Sequence, residues 1–508
     1  MKTASPSRPP SRVRRFGLVL GALLGLAGGL ASSAQEIDDL PDIADSAGAL
    51  ISPEQEKQLG LATMREIRRY APIITDEEVE DYIQKLGMEL GKHSGYYGDF
   101  HFFMIKSNVV NAFAIPGGFV GFHSGLILNS HSESEVASVM AHEISHLTQR
   151  HGARMLEAAS NMSIPSMAAF LGAILLTAIA PQAGIGAIAG VAAAQQQYQI
   201  DFTRGNEKEA DRIGIELLNK AGFRTLSMAD FFERLQLSNR YSDPKMIPEF
   251  LRTHPVTVNR IAEARERAEQ MRSKLVREDS LDYQLIWHKL NVMAMSDPAQ
   301  AKNYYEAALR EPNPPNEMLL RYGYVLALTE ASDFKRAREE LAPLLAATPN
   351  LTAFRLAEAR LEERAGKRPL ALALYGKLVK QDPESRAAAF GYATLLNNTG
   401  NPAEARRVLR EFGAADQREP RFYKLLAQAE QQMGERANSH YNLAEYYRSI
   451  GELEMAAEQL RLAQVVPELT HYQRLRIDAR LDEIEKDLTR LDQDRAKRRE
   501  REERRRRT

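Results

Sequence analysis

The stretch "VMAHEISHLTQRHG", Val139 to Gly152, holds three of the 11 histidines in a chain of 508 residues. It reads as a helix. Ser132 and Glu135 stand at the spacing of a capping box, and Val136, Val139, Met140, Ile144 and Leu147 recur so as to give one apolar face. Residues four apart on a helix lie above one another, so His142 and His146 project from one side and can grip one metal ion. Glu143 sits beside the first of them, within reach of a water on that metal. This is H-E-x-x-H, in which zinc lowers the pKa of its water to about 7 and the glutamate takes the proton. Chance would produce these five positions on the order of once or twice in a hundred chains of this length and histidine content. The motif points to a metal, and it needs a third ligand.

Further on, "NEKEADRIGIELL" from Asn206 reads as another amphipathic helix, with Glu207 and Asp211 four apart near its start. A catalytic zinc takes three protein ligands and keeps one position open. Glu207 would complete a His2Glu set, and Asp211 could accept a hydrogen bond from a ligand histidine and fix its orientation. Alone, the E-x-x-x-D spacing carries nothing, because charged helix faces produce it constantly. In "RTHPVTVNRIAEAR", Arg252 to Arg265, His254 precedes Pro255 and is biased to an extended backbone before a helix. From the residues alone it reads as a surface or capping histidine.

The rest of the chain frames this site. Its length suggests about two to four domains. With 44% hydrophobic and 27% charged residues it has the composition of an ordinary globular protein. It has no cysteine, which excludes disulfides, thiol catalysis and thiolate metal sites. Residues 1–34 form a basic start (Lys2, Arg8, Arg12, Arg14, Arg15), an apolar run from Phe16 to Leu30, and "SSA" ending at Ala34. This is the pattern of a cleaved secretory signal, and the run is short for a bilayer anchor. Export without disulfides fits a bacterial periplasm. Removing the leader takes five basic residues and leaves a net charge of −6.

No charged residue occurs from Ala158 to Ile200. Its apolar part, Ile164–Ala194, is broken by Pro165, Pro181 and several glycines. It reads as a helical flap over the metal cleft rather than a membrane span, with peripheral membrane contact left open. Residues 35–281 read as a mixed α and β domain and residues 282–493 as all helical. There, Ala337, Ala371 and Ala405 are 34 residues apart, Gly366, Gly400 and Gly451 sit five before Ala371, Ala405 and Ala456, and Pro349 and Pro383 close two units. This pattern resembles the tetratricopeptide repeat, which stacks into a solenoid with a concave binding groove and no chemistry of its own. The tail, residues 494–508, ends in a run from Arg495 with nine basic and three acidic residues. A solvated helix end or a contact with anionic lipid or an acidic partner suits it, and nucleic-acid binding does not suit an exported chain.

Together "HEISH", "EKEAD" and "NAFAIPGGFVGFHSGLI" (Asn111–Ile127) resemble the gluzincin zinc peptidases that include HtpX and the CAAX prenyl proteases. The resemblance implies one zinc ion per chain held by His142, His146 and Glu207, with Glu143 as the catalytic base. It places Asn111, Ala112 and Phe113 on an edge strand that pairs with an extended substrate; the residues alone read as an ordinary hairpin turning at Pro116-Gly117-Gly118, and both readings can hold. It makes His254 a fourth ligand that closes the resting site. The expected fold class is α+β, mainly α, with a gluzincin-type domain followed by an all-α repeat solenoid. In the periplasmic branch of the family, the expected role is a zinc metalloendopeptidase with a chaperone-like part in outer-membrane protein assembly and in degradation of misfolded outer-membrane proteins. Its expected partners are unfolded or misassembled outer-membrane proteins and, through the repeats, the barrel-assembly machinery. The alternative is a repeat-domain chaperone or scaffold whose protease site is latent or idle.

Overall fold

The computed structural model describes residues 52–160, 196–241, 249–271, 276–412, 420–467 and 469–506. The expected leader and the apolar stretch 164–194 lie outside these residues, as do the side chains of the basic tail.

The described chain opens with α1 (Pro53–Tyr70) and α2 (Glu77–Gly91). Asp76 caps α2 by accepting from the N–H groups of Glu78 and Val79, and Glu77, Glu78 and Glu80 suit the positive end of the helix dipole. Three strands follow, β1 (His101–Ile105), β2 (Ala112–Ile115) and β3 (Phe119–His123), in the order β1-β3-β2. β1 and β3 are parallel, while β2 and β3 form the antiparallel hairpin expected at Pro116-Gly117-Gly118. Gly118 has a φ of 94°, and a Cβ there would sit 2.0 Å from the Asp99 carbonyl oxygen, so the turn demands glycine.

Alternation along the strands divides the core into two faces. Phe102, Met104, Val120 and Phe122 pack with Val79, Ile83 and Leu86 of α2, whereas Phe103, Ile105, Ile115 and Phe119 pack with Met64 and Ile67 of α1. α3 (Ser124–Leu128) leads into α4 (Glu133–Thr148), the helix expected from the histidine stretch. Ser132 caps it by accepting from the Glu135 N–H; the Glu135 carboxylate accepts from the His131 N–H, one residue further back than a standard capping box. α5 (His151–Ser160) and α6 (Gln196–Ala221) come next, and α6 packs along α4. Gly214 permits the close approach, since a Cβ there would lie 3.3 Å from the His142 backbone nitrogen. α7 (Ser227–Tyr241), α8 (Glu249–Thr253) and α9 (Val258–Gln270) complete this mainly helical α+β domain.

α10 (Leu281–Ala294) belongs to both halves of the molecule. Tyr283, Ile286 and Leu290 enter the core behind the sheet, while Leu285 and Val292 enter the first cluster of the helical half. After α11 (Pro298–Arg310) the helices run in pairs: α12 (Glu317–Glu330) with α13 (Phe334–Ala347), α14 (Thr352–Arg364) with α15 (Arg368–Gln381), and α16 (Arg386–Asn398) with α17 (Pro402–Phe412). Two more pairs follow, α18 (Pro420–Gln432) with α19 (Arg436–Ser449) and α20 (Leu453–Gln464) with α21 (His471–Arg506). Ala337, Ala371, Ala405 and Ala456 are fully buried, as the repeat reading requires.

The solenoid turns back onto the first domain. Lys289 of α10 pairs with Asp76 at 2.8 Å and with Glu78; Arg360 of α14 pairs with Glu78, Arg386 of α16 with Asp81 at 2.7 Å, and Arg421 of α18 with Glu77. At its far end, Arg68 and Arg69 of α1 donate to Ser449 O at 2.7 Å and Glu452 Oε1 at 2.8 Å. No described helix is long and apolar enough to cross a membrane.

Candidate metal centre

Three separate elements bring four side chains together. α4 supplies His142 and His146 from one face, α6 supplies Glu207, and His254 follows directly after α8. His142 Nε2 is 3.0 Å from His146 Nε2, 3.3 Å from His254 Nδ1 and 3.5 Å from Glu207 Oε2. Glu207 Oε1 is 3.4 Å from His146 Nε2 and 3.0 Å from His254 Nδ1. Nitrogen and oxygen ligands about 2.0–2.1 Å from a tetrahedral ion lie about 3.3 Å from one another. With Glu207 Oε1 as its ligand atom, four of these distances are edges of such a tetrahedron, between 3.0 and 3.4 Å. The donor set therefore fits a four-coordinate cation, with His254 at the fourth corner.

The electrostatics ask for positive charge at the same point. Glu143, Glu207 and Asp211 are all buried, and the guanidinium of Arg260 is a fixed charge that answers the last two. Arg260 donates to both Asp211 oxygens at 2.7 and 2.8 Å and to Glu207 Oε2 at 2.8 Å. Burial would raise the Glu207 carboxyl, but His254, His142 and His146 outweigh it and hold the group well below the usual carboxylate range. Burial would likewise lower His142, but Asp211 and Glu207 outweigh it and raise the group to about 10, while burial pushes His146 down to about 3. Two carboxylates thus flank one buried imidazole, Glu207 on the cluster side, where a cation would meet it, and Asp211 behind. Asp211 Oδ1 lies 3.0 Å from His142 Nδ1, on the ring edge away from the cluster. A carboxylate at that place can orient the ring.

Glu143 points to the other side. Burial raises its carboxyl above the usual range. Its Oε1 lies 3.4 Å from His254 Nε2, and its carboxylate receives the Ala114 backbone N–H. His254 therefore spans the ligand cluster with one nitrogen and the candidate base with the other. The turn that carries it is tied to the sheet by Phe250 N–H donating to Val110 O at 3.1 Å and by Thr253 Oγ1 to Asn111 Oδ1 at 3.4 Å.

β2 is a sheet edge beside this centre. His123 N–H donates to Asn111 O, so by antiparallel alternation Phe113 and Ile115 also face β3 with their backbone groups. The outward N–H and C=O groups belong to Ala112 and Ala114. Asn111 is buried, and the Phe113 ring packs edge-on against Phe103 at 5.8 Å. Ala112 is fully buried and the Ala114 N–H goes to Glu143, which leaves the Ala114 carbonyl, outside the expected three, as the outward backbone group at this edge.

Arg260, His151 and Glu209 were not legible as site residues. Arg260 is one of several arginines on an ordinary charged helix, and nothing local marks it. His151 stands in the opening stretch five residues after His146, a spacing that matches no ligand motif.

Residues 74–268 match the family model for peptidase family M48, and residues 291–351 and 364–429 match tetratricopeptide repeat models. The chain is 37% identical over 459 residues to the beta-barrel assembly-enhancing protease of Escherichia coli (strain K12), covering 89% of this chain and 92% of that one. It is 36% identical over 452 residues to the same-named protein of Yersinia pestis, covering 88% and 92%. A mitochondrial metalloendopeptidase of Bos taurus, OMA1, is 29% identical over 163 residues, covering 31% of this chain and 30% of that one.

Proposed function

Because this chain belongs to the metallopeptidase family of the beta-barrel assembly-enhancing proteases, we propose that it is a zinc endopeptidase of unfolded or misassembled outer-membrane proteins. The observation that carries the reading is the tetrahedral set of His142, His146, Glu207 and His254 with Glu143 buried beside it. Zinc held by His142, His146 and Glu207 would supply the Lewis acid that polarises the scissile carbonyl and acidifies water. Glu143, raised by burial, takes the proton from the attacking water and returns it to the leaving amine. The outward Ala114 carbonyl on the β2 edge would accept from an extended chain, a mode that reads backbone more than sequence. Arg260 fixes Glu207 and Asp211 in place. The basic, then apolar, start of the chain supports export to the periplasm, and the repeats support docking on the outer-membrane barrel-assembly machinery.

The second reading is a repeat-domain chaperone whose protease is latent. His254 favours it, since Nδ1 fills the fourth corner that a reacting water would need. The test is cleavage of an unfolded outer-membrane protein by wild-type and Glu143→Gln protein at equal zinc content. Gln keeps the shape and removes the base, so activity should fall by about 10²–10⁴-fold with zinc retained. Undiminished turnover would place the chemistry elsewhere.

A further inference from the structure

The third histidine of the opening stretch has a place. α4 ends at Thr148, and Arg150 takes a left-handed φ of 52° that reverses the chain and starts α5 at His151. The Arg150 guanidinium holds the turn by donating to Glu56 Oε1 at 2.8 and 2.6 Å. The His151 ring, 4% exposed, is thereby set edge-on against His146, with centroids 4.9 Å apart and planes at 76°. His151 Nδ1 lies 2.8 Å from His146 Nδ1, on the side of His146 away from the ligand cluster. His151 Nε2 lies 3.2 Å from Glu209 Oε2, which also accepts from Arg154 Nη1 at 3.1 Å.

We propose that His151 and Glu209 are positioning residues that fix His146 in its ligating tautomer. The inference rests on the metal-centre reading. A carboxylate can only accept, so His151 Nε2 carries the proton between His151 and Glu209. Neutral His151 is then left with Nδ1 as an acceptor. Two ring nitrogens 2.8 Å apart share one proton, so His146 Nδ1 supplies it and His146 Nε2 keeps its lone pair facing the cluster. The opposite arrangement fails. A proton on His151 Nδ1 would drive the His146 proton onto Nε2, the atom 3.0 Å from His142 Nε2 that must bind the cation. His142 meets the same need differently, with the Asp211 carboxylate directly at Nδ1. The two ligand histidines are thus held by two devices, a direct carboxylate and a histidine-carboxylate relay. The relay draws on α5 and α6 together, so it also ties the start of α5 to the Glu207 helix.

The test measures zinc affinity of the full chain by competition with a chromophoric chelator, beside thermal unfolding of each zinc-stripped protein. His151→Leu removes the acceptor and should weaken zinc binding by about 10–100-fold. His151→Asn, whose amide oxygen can accept from His146 Nδ1, should recover most of the affinity. Glu209→Ala frees His151 to hold either proton arrangement and should weaken zinc by up to about tenfold. Wild-type affinity in His151→Leu overturns the proposal. So does an equal loss in Leu and Asn accompanied by a matching fall in the unfolding temperature, which is what mere packing would give. Should Leu fail to fold, Glu209→Ala decides, and unchanged zinc binding in it overturns the relay. A wild-type chain that binds no stoichiometric zinc would fail earlier, at the metal-centre reading itself.

Discussion

His254 lies between the cation site and the base, Nδ1 3.0 Å from Glu207 Oε1 and Nε2 3.4 Å from Glu143 Oε1. On the latent reading His254→Ala opens the fourth position while three ligands still hold zinc, so cleavage of an unfolded protein should rise at equal zinc occupancy. A fall in rate would instead make His254 a stabiliser of the reaction, and no change would make it a helix cap. His123 shows buried histidine chemistry of another kind. Neither of its ring nitrogens has a partner among the described residues, and burial pushes its pKa from 6.5 down to about 4. Below pH 6.5 the unfolded chain takes up a proton that the folded chain refuses. Stability should therefore fall as pH drops from about 6.5 to about 4, by up to roughly 3 kcal/mol from this residue. Urea titrations at pH 7.5 and 5 check this, and His123→Leu should lose part of the difference; an unchanged difference refutes the assignment. At this scale the sequence was legible where chemistry is local. His142, Glu143 and His146 share one helix, and Glu207 and Asp211 share another. Arg260 reaches Glu207 and Asp211 through space, and no spacing in the chain announces that.

The helical pairs show the same contrast between repeated and single features. The period of 34 residues was visible because small residues and glycines recur at fixed offsets: Gly366 and Gly400 have φ of 75° and 77° in the turns between paired helices. Gly434 continues the series with φ 77°, but Ser439 replaces the alanine five residues later, which hid the unit from the pattern. Ser332 is the same turn position one unit earlier and takes φ 59° without being glycine. A side chain there costs about 1–2 kcal/mol. Ser332→Gly should gain up to about 1 kcal/mol after the larger unfolded-state entropy of glycine is counted, and Gly400→Ala should lose about as much. Thermal unfolding of both variants tests this; equal effects of the same sign would mean that backbone strain does not set these turns. β2 is a single feature. Its edge was foreseen, but which of its residues face outward depends on the hydrogen-bond phase with β3, which the His123 to Asn111 bond sets.

Over the whole molecule, the division into an α+β domain and a helical solenoid was readable from composition and period, while their union was not. The acidic first turn of α2 receives Lys289, Arg360, Arg386 and Arg421 from four helices that are far apart in sequence. Each residue looks like part of a solvated charged face when taken alone. The helical half therefore spends part of its basic surface on the first domain, and partners must dock on what is left or compete for it. α10 reinforces the union by giving Tyr283, Ile286 and Leu290 to the core that carries α4. Metal chemistry should accordingly be measured on the full chain. The most direct measurement is zinc X-ray absorption on full-length protein, with metal content by mass spectrometry. One zinc per chain is predicted, with four nitrogen or oxygen neighbours at about 2.0–2.1 Å and the scattering of three imidazoles, falling to two in His254→Ala. A chain with no stoichiometric zinc, or a wild-type spectrum with two imidazoles that His254→Ala leaves unchanged, would contradict it.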